Sequence, residues 1–182
     1  MPRSILIGNH LFFAREGDSI DGVTVARDAK PDTDPEANWT DVGIISSASI
    51  ENSKNELEIW GPSPGRLALQ DVLLSRQDLM IRATLEEASP MLWELLFGAV
   101  GAIDTSGTGA FVPLAKRGFV KGWWKFQQYD QNDVAINLVD VWGRADITGA
   151  VDFGDQQQVI TYELEIRLLN SALNSGVLSN II

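Results

Sequence analysis

The sequence contains no cysteine and only one histidine, His10. The missing thiols exclude disulfide bonds, thiolate metal sites and a cysteine nucleophile. A single histidine also removes the usual zinc sites and most histidine-based catalysis. Because His10 lies in an apolar segment, a structural role is its simplest interpretation. We therefore predict that the chain is not an enzyme and has no catalytic residues, metal ion or cofactor.

Carboxylates are the remaining candidates for chemistry. One acidic segment contains Asp28, Asp32, Asp34 and Glu36. It lacks the glycine and the terminal glutamate of an EF-hand calcium loop, so a solvated loop is favoured over a calcium site. The pair Glu163 and Glu165 could suggest a glycoside hydrolase. However, alternating acids are ordinary on the exposed face of a strand, so this pair does not change the prediction.

Positive charge is also scarce, with 14 Lys and Arg against 25 Asp and Glu and a formal net charge of −11. Binding of phosphates needs a surplus of cations, so a protein that holds nucleic acid tightly is disfavoured, whereas one that encloses nucleic acid remains possible. No stretch approaches the ~20 apolar residues of a membrane helix. We expect a soluble protein made in the cytosol, with one domain over residues 1–182 and no membrane partner.

Short segments that alternate apolar and polar residues predict β-strands. The clearest is Val159–Leu168, in which Tyr162, Leu164 and Ile166 share one face. The other candidates are Ile5–Ala14, Val42–Glu51, Glu56–Trp60, the last part of Leu67–Glu86, Phe111–Leu114, Phe119–Tyr129, Val134–Val141 and Arg144–Phe153.

Three segments are predicted to be free to reach a neighbouring molecule. Residues 15–38 are rich in Asp, Pro and Gly and form a long loop. Residues 51–67 form a tongue that starts with a polar stretch and ends at Gly61-Pro62-Ser63-Pro64-Gly65. Residues 170–182 are a possible C-terminal arm.

One short helix is predicted after Ser89, which is a suitable N-cap, with Pro90 in the first helical position and Gly98 as the stop. Many strands with a single helix indicate a mainly β fold. We predict a β-sandwich or open barrel with a short flanking α-helix, whose unpaired sheet edges favour pairing with another chain.

Four pieces of the first hundred residues, in this order, resemble the tail tube (major tail) proteins of long-tailed, non-contractile bacteriophages. They are Ile5–Gly8 with Leu11–Ala14, the Asp/Pro-rich loop leading into Trp39–Gly43, the hairpin-like block ending at Met80–Glu87, and the helix ending at Glu94–Gly98. The second half of the chain matches only in its general character. There is no room for the additional immunoglobulin-like domain that some relatives carry.

The resemblance implies that six copies close into a ring and that rings stack into a tube whose inner sheet surrounds double-stranded DNA. The implied partners are the protein itself, a tape-measure protein, the tail terminator and distal tail proteins, and DNA that passes without specific binding. The implied location is the virion tail, assembled in the host cytoplasm. The tube of a contractile injection or secretion system is an alternative.

An acidic channel wall would repel DNA and keep it moving. We predict that the polar residues flanking the tongue face the channel, namely Glu51, Glu56, Glu58, Arg82 and Glu86, with Arg82 locally compensated.

Aromatic residues supply the predicted contacts between subunits. Trp60 lies near a loop tip and is a candidate interface anchor. In Phe119–Phe126, alternation places Trp124 and Phe126 in the core, and leaves Lys121, Trp123 and Lys125 for a subunit interface. The six tryptophans also leave open a monomeric carbohydrate-binding β-sandwich module.

Overall fold

A computed structural model describes residues 6–32, 38–86, 89–97, 118–130, 135–152 and 161–176. The predicted strand Phe111–Leu114, the helix stop at Gly98, the acidic residues Asp34 and Glu36, and the last six residues of the predicted C-terminal arm lie outside the described residues.

The described chain is mainly β, with nine strands and a short helix. In chain order they are β1 (Leu6–Arg15), β2 (Ser19–Ile20), β3 (Val23–Thr24), β4 (Thr40–Ser63), β5 (Arg66–Leu85), α1 (Pro90–Phe97), β6 (Val120–Asp130), β7 (Ala135–Asp152), β8 (Thr161–Leu168) and β9 (Ser175–Gly176).

Six of these strands form a closed antiparallel ring in the order β1-β4-β5-β8-β7-β6. The sequence predicted a sandwich or open barrel, and it predicted two strands where β7 is one. This single long strand closes the ring, because Ala135–Ala145 pairs with β6 and Gly143–Asp152 pairs with β8.

Two glycines make the close approach at this junction possible. Gly122 of β6 lies opposite Gly143 of β7. A Cβ on Gly122 would lie 2.0 Å from the carbonyl oxygen of Ala14, and one on Gly143 would lie 2.8 Å from Cγ2 of Ile166. Glycine is therefore needed where four strands meet in the wall of the ring.

The inside of the ring is a packed hydrophobic core. It contains Trp124 and Phe126, which confirms the predicted inner face of β6. Helix α1 adds Met91, Leu92 and Leu95 to the same core. The backbone N–H of Leu92 donates to the Ser89 carbonyl at 3.0 Å and to its hydroxyl at 3.4 Å, as expected for an N-cap.

A second cluster covers the outside of β6 and β7. Residues 16–32, which we call the strap, fold over Trp123 and Trp142 instead of forming the free loop that the sequence predicted. The indole N–H of Trp123 donates to the Ala26 carbonyl at 2.8 Å, and Val25 of the strap is buried in the same cluster as Trp123 and Trp142. Apolar side chains in an otherwise polar loop thus hold the strap on the barrel.

The predicted tongue, which has two register shifts, is part of a long β-hairpin. β4 continues through the polar stretch at 51–55 to Ser63, and the chain reverses at Pro64–Gly65, where Gly65 has a φ of 77°. Residues 52–79, which we call the arm, project from the ring because only β4 and β5 pair there among the described residues. Cross-strand pairing has overcome the low strand propensity of this polar stretch.

We expect Gly122→Ala to destabilise the protein by roughly 2–3 kcal/mol, because the new methyl group would overlap backbone that cannot move aside. Urea unfolding followed by tryptophan fluorescence would measure the loss. The control is Ser49→Ala on the exposed side of β4, which should change the free energy of unfolding by less than ~0.5 kcal/mol. Equal stability of the two variants would contradict the proposed junction.

Candidate assembly surfaces

The outward side chains of β4, β5, β8 and β7 form a surface that we call the polar face. Three rows cross the four strands at matching heights. The rows are Ser47-Thr84-Glu163-Thr148, Ser49-Arg82-Glu165-Asp146 and Glu51-Met80-Arg167-Arg144. A β-barrel normally has one polar side where it meets water, so the rows alone do not define a function.

Ion pairs connect these rows. Arg82 lies 3.2 Å from Glu51, 3.6 Å from Glu163 and 3.8 Å from Glu165. Glu165 also accepts a hydrogen bond from Nε of Arg167 at 3.0 Å. The side chain of Glu165 is only 7% exposed, and both arginines lie against it.

The polar face is nearly balanced in charge. It carries the carboxylates of Glu51, Asp146, Glu163 and Glu165 and the guanidinium groups of Arg82, Arg144 and Arg167. The sequence predicted an acidic wall with one compensating arginine. The structure instead has three arginines, because β7 and β8 contribute charges that reasoning along one hairpin did not include.

The predicted channel residues do not share one surface. Glu51 and Arg82 lie on the polar face, as their ion pair requires. Glu56 and Glu58 lie on the opposite face of the arm, because every β4 residue from Ser47 to Ser63 has a partner in β5 and the two register shifts of the arm leave out only Ser75 and Gln70 of β5. Glu86 is exposed just beyond β5.

Both borders of the polar face are open. β4 pairs with β1 only as far as Ile44, and β7 pairs with β6 only as far as Ala145. Beyond these points each strand has, within the described ranges, a partner on one side alone. The open parts, 46–49 of β4 and 146–149 of β7, lie at the same height in the sheet.

The arm exposes large apolar side chains on both of its faces. Register places three of them, Leu57, Ile59 and Leu73, on the polar-face side of the hairpin. The other face carries Trp60, Leu67, Leu69, Val72, Leu74 and Leu79. All nine are more than a third exposed. Exposed apolar side chains in such number make the arm a candidate for contact with another protein.

The predicted interface residues have different environments. Trp60 is 54% exposed on the arm, and its indole N–H donates to Glu58 at 3.0 Å. Lys121 is partly exposed, pairs with Glu16 at 2.9 Å and lies over the Trp142 ring. Trp60 and Lys121 therefore keep surface for a neighbour.

Trp123 and Lys125 lie inside the subunit. Trp123 is fully buried under the strap. Lys125 is buried between the Trp39 ring and Asp140, which also pairs with Lys30 at 2.9 Å. Because their side chains are enclosed within one chain, we do not keep them as interface residues.

The described part of the predicted C-terminal arm is also attached to the barrel. The backbone N–H of Trp142 donates to the side chain of Asn174 at 2.8 Å, and β9 pairs with β7. The Ser171 hydroxyl donates to the Arg27 carbonyl at 2.6 Å. Residues 170–176 therefore help to hold the strap.

Other candidate sites carry little chemistry. His10 packs against the rings of Phe12 and Tyr129, with Nδ1 3.6 Å from Asp41. Within the described ranges no group of acidic, histidine or cysteine residues could hold a metal ion. None of the helices in that part of the chain is long and apolar enough to cross a membrane.

Comparisons with known proteins give no further guide. No protein-family model matches this chain, and no curated protein sequence is similar to it.

Sequence reasoning missed the contribution of β7 and β8 to the polar face. Alternation placed Glu163 and Glu165 on an exposed face, and in the structure they lie beside Arg82. Asp146, Arg144 and Arg167 complete the network. Strand order, which brings β8 beside β5, was the information that alternation could not supply.

We expect the double variant Arg82→Gln/Arg167→Gln to lose roughly 2–3 kcal/mol of stability, because Glu165 would remain buried without a cation. Urea titration would measure the loss. Arg144→Gln is the control, since its partner Asp146 is partly exposed, and this change should cost less than ~1 kcal/mol. A double variant as stable as the control would show that Glu165 does not need these arginines.

Proposed function

We propose that this chain is the subunit of a bacteriophage tail tube, which assembles into stacked rings around a channel for DNA. The observation that carries the proposal is the polar face with two open borders at one height. The resemblance in the first hundred residues supplies the family and the ring of six copies.

The strand directions support joining of these borders. Because neighbouring strands of the face are antiparallel, β4 and β7 at its two sides run in opposite directions. A rotation about an axis along the strands would therefore place β7 of one copy antiparallel to β4 of the next. Backbone hydrogen bonds could then continue between copies, and closure would leave no free edge at these two borders.

In this arrangement the polar face would surround the channel. Its outward side chains are charged or small and polar, apart from Met80. No surplus of cations is present to hold phosphates. Double-stranded DNA would pass without specific binding, after a tape-measure protein had occupied the same space.

The arm would provide contacts between rings. Its nine exposed apolar side chains lie on both faces of the hairpin, so either face could pack against a neighbouring ring. Trp60 is the proposed anchor among them. Terminator and distal tail proteins would cover the arms and borders at the two ends of the tube, within a virion tail assembled in the host cytoplasm.

The two alternatives fare differently. The tube of a contractile injection or secretion system would use the same borders and arm, so microscopy of complete particles has to separate it. A carbohydrate-binding module needs exposed aromatic rings. Trp39, Trp123, Trp124 and Trp142 are buried, Trp93 is partly buried, and Trp60 alone is well exposed, which disfavours a glycan platform.

Cysteine cross-linking tests whether β4 of one copy joins β7 of the next. The chain has no cysteine of its own, so every disulfide bond would come from the introduced residues. We expect Ser47→Cys combined with either Asp146→Cys or Thr148→Cys to form disulfide-linked ladders ending at six copies. Within one subunit these positions are three strand spacings, about 14 Å, apart. That separation exceeds the ~7 Å between Cα atoms that a disulfide allows, so a ladder would have to arise between copies.

Non-reducing electrophoresis after mild oxidation would read the result, with negative-stain microscopy of the same samples for rings and tubes. Each single-cysteine variant should give dimers at most. Ser47→Cys with Ser171→Cys, which lies beside the strap, should give no ladder. Monomers at high concentration, with no ladder from either test pair, would overturn the proposed function.

Substitutions in the arm should separate folding from stacking. We expect Trp60→Ser/Leu69→Ser to prevent tube formation while leaving the melting temperature nearly unchanged, because both side chains are exposed in the subunit. Sedimentation and microscopy would measure assembly. The control is Lys54→Ser/Gln77→Ser on the same face, which should still form tubes. Normal tubes from the apolar variant would remove the arm from the assembly interface.

A further inference from the structure

Three arginines occupy neighbouring positions on the polar face. Arg167 of β8 lies directly opposite Arg144 of β7, and Arg82 lies one row away on β5. Like charges directly opposite each other destabilise a sheet. Guanidinium groups bind phosphate well, because each can donate two hydrogen bonds to it. On their own, these three residues would hold a DNA backbone.

Each of these guanidinium groups is occupied by a carboxylate of the same face. Arg144 is bound by Asp146 two residues along β7, at 3.1 and 3.4 Å. Arg167 is bound by Glu165 in the same manner on β8. Arg82 lies among Glu51, Glu163 and Glu165. Each arginine is thus paired with at least one carboxylate of its own subunit.

The arginines nevertheless remain accessible to a ligand. Their side chains are between 39% and 59% exposed. A polyanion running along the face could reach them if their partners were removed. The carboxylates of Glu51, Asp146 and Glu163 are also partly exposed, whereas Glu165 is buried beneath two of the arginines.

We propose that the carboxylates of Glu51, Asp146, Glu163 and Glu165 keep these arginines from binding phosphate, so that the polar face carries duplex DNA without holding it. This inference rests on the proposed function, in which the face surrounds the channel. The arginines in turn limit the repulsion among carboxylates that several copies around one axis would otherwise create. Near-neutrality, rather than strong negative charge, is then the property that lets DNA move.

The test removes the three partly exposed carboxylates and leaves the arginines. In Glu51→Gln/Asp146→Asn/Glu163→Gln, three arginines face one remaining carboxylate, Glu165. The matched control is Asp18→Asn/Asp28→Asn/Glu56→Gln, which alters exposed acids away from the polar face and changes the net charge equally. Neither control nor test substitution changes side-chain volume appreciably.

The probe is a fluorescent duplex of about 20 base pairs, measured by anisotropy at about 50 mM salt with dilute, unassembled subunits. We expect the test variant to bind at least about 10-fold more tightly than the control, with binding that weakens as salt rises. Adding Arg82→Gln and Arg144→Gln to the test variant should return its affinity to that of the control.

Two results would overturn the inference. One is a test variant that binds no more tightly than the control, and the other is a gain that persists without the two arginines. Near-UV circular dichroism checks the fold of each protein. If the triple variant does not fold, Glu163→Gln against Asp18→Asn gives the same comparison with a smaller expected gain.

The outcome is separate from that of the proposed function. This assay uses single subunits and does not require rings, whereas the cysteine ladders require neighbouring copies. Ladders without a gain in DNA affinity would reject only the role of the carboxylates. A gain without ladders would establish the chemistry of the face and reject the channel.

Discussion

The fold depends on one strand serving two neighbours. β7 pairs with β6 through its first part and with β8 through its second part, and this double pairing closes the ring. The change of partner occurs at Gly143, which lies opposite Gly122. Without side chains at these positions, backbone from β1 and side chains from β8 can approach closely enough to complete the wall. The core, the strap and the polar face are all organised around this junction.

Closure also determines which surfaces remain for contact with other molecules. It satisfies both sides of most ring strands, but β4 and β7 continue beyond their partners on β1 and β6. Within the described residues, the one-sided parts of β4 and β7 beside the barrel border a face whose charged side chains are already paired. The arm adds a separate apolar surface. The borders with one-sided strands, the polar face and the apolar arm are thus three different parts of one small domain.

Local signals in the sequence predicted the local parts of this structure. Ser89 and Pro90 marked the start of α1, and alternation in β8 and around Trp124 gave the correct inner faces. The prediction was wrong where distant residues decide the outcome. The polar stretch at 51–55 is strand because β5 pairs with it, and Trp123 is buried because the strap covers it. The arginine network was likewise unpredictable, since it needs the order of β5, β8 and β7 rather than the pattern within any of them.

The filled interior of the barrel has a consequence for the timing of assembly. Trp124, Leu164 and Ile166 are completely enclosed by their own chain, so acquiring a stable tertiary structure does not require another molecule. In the proposed assembly, folded subunits would therefore be present before any tube exists. A factor that supplied the first ring would then determine where a tube starts.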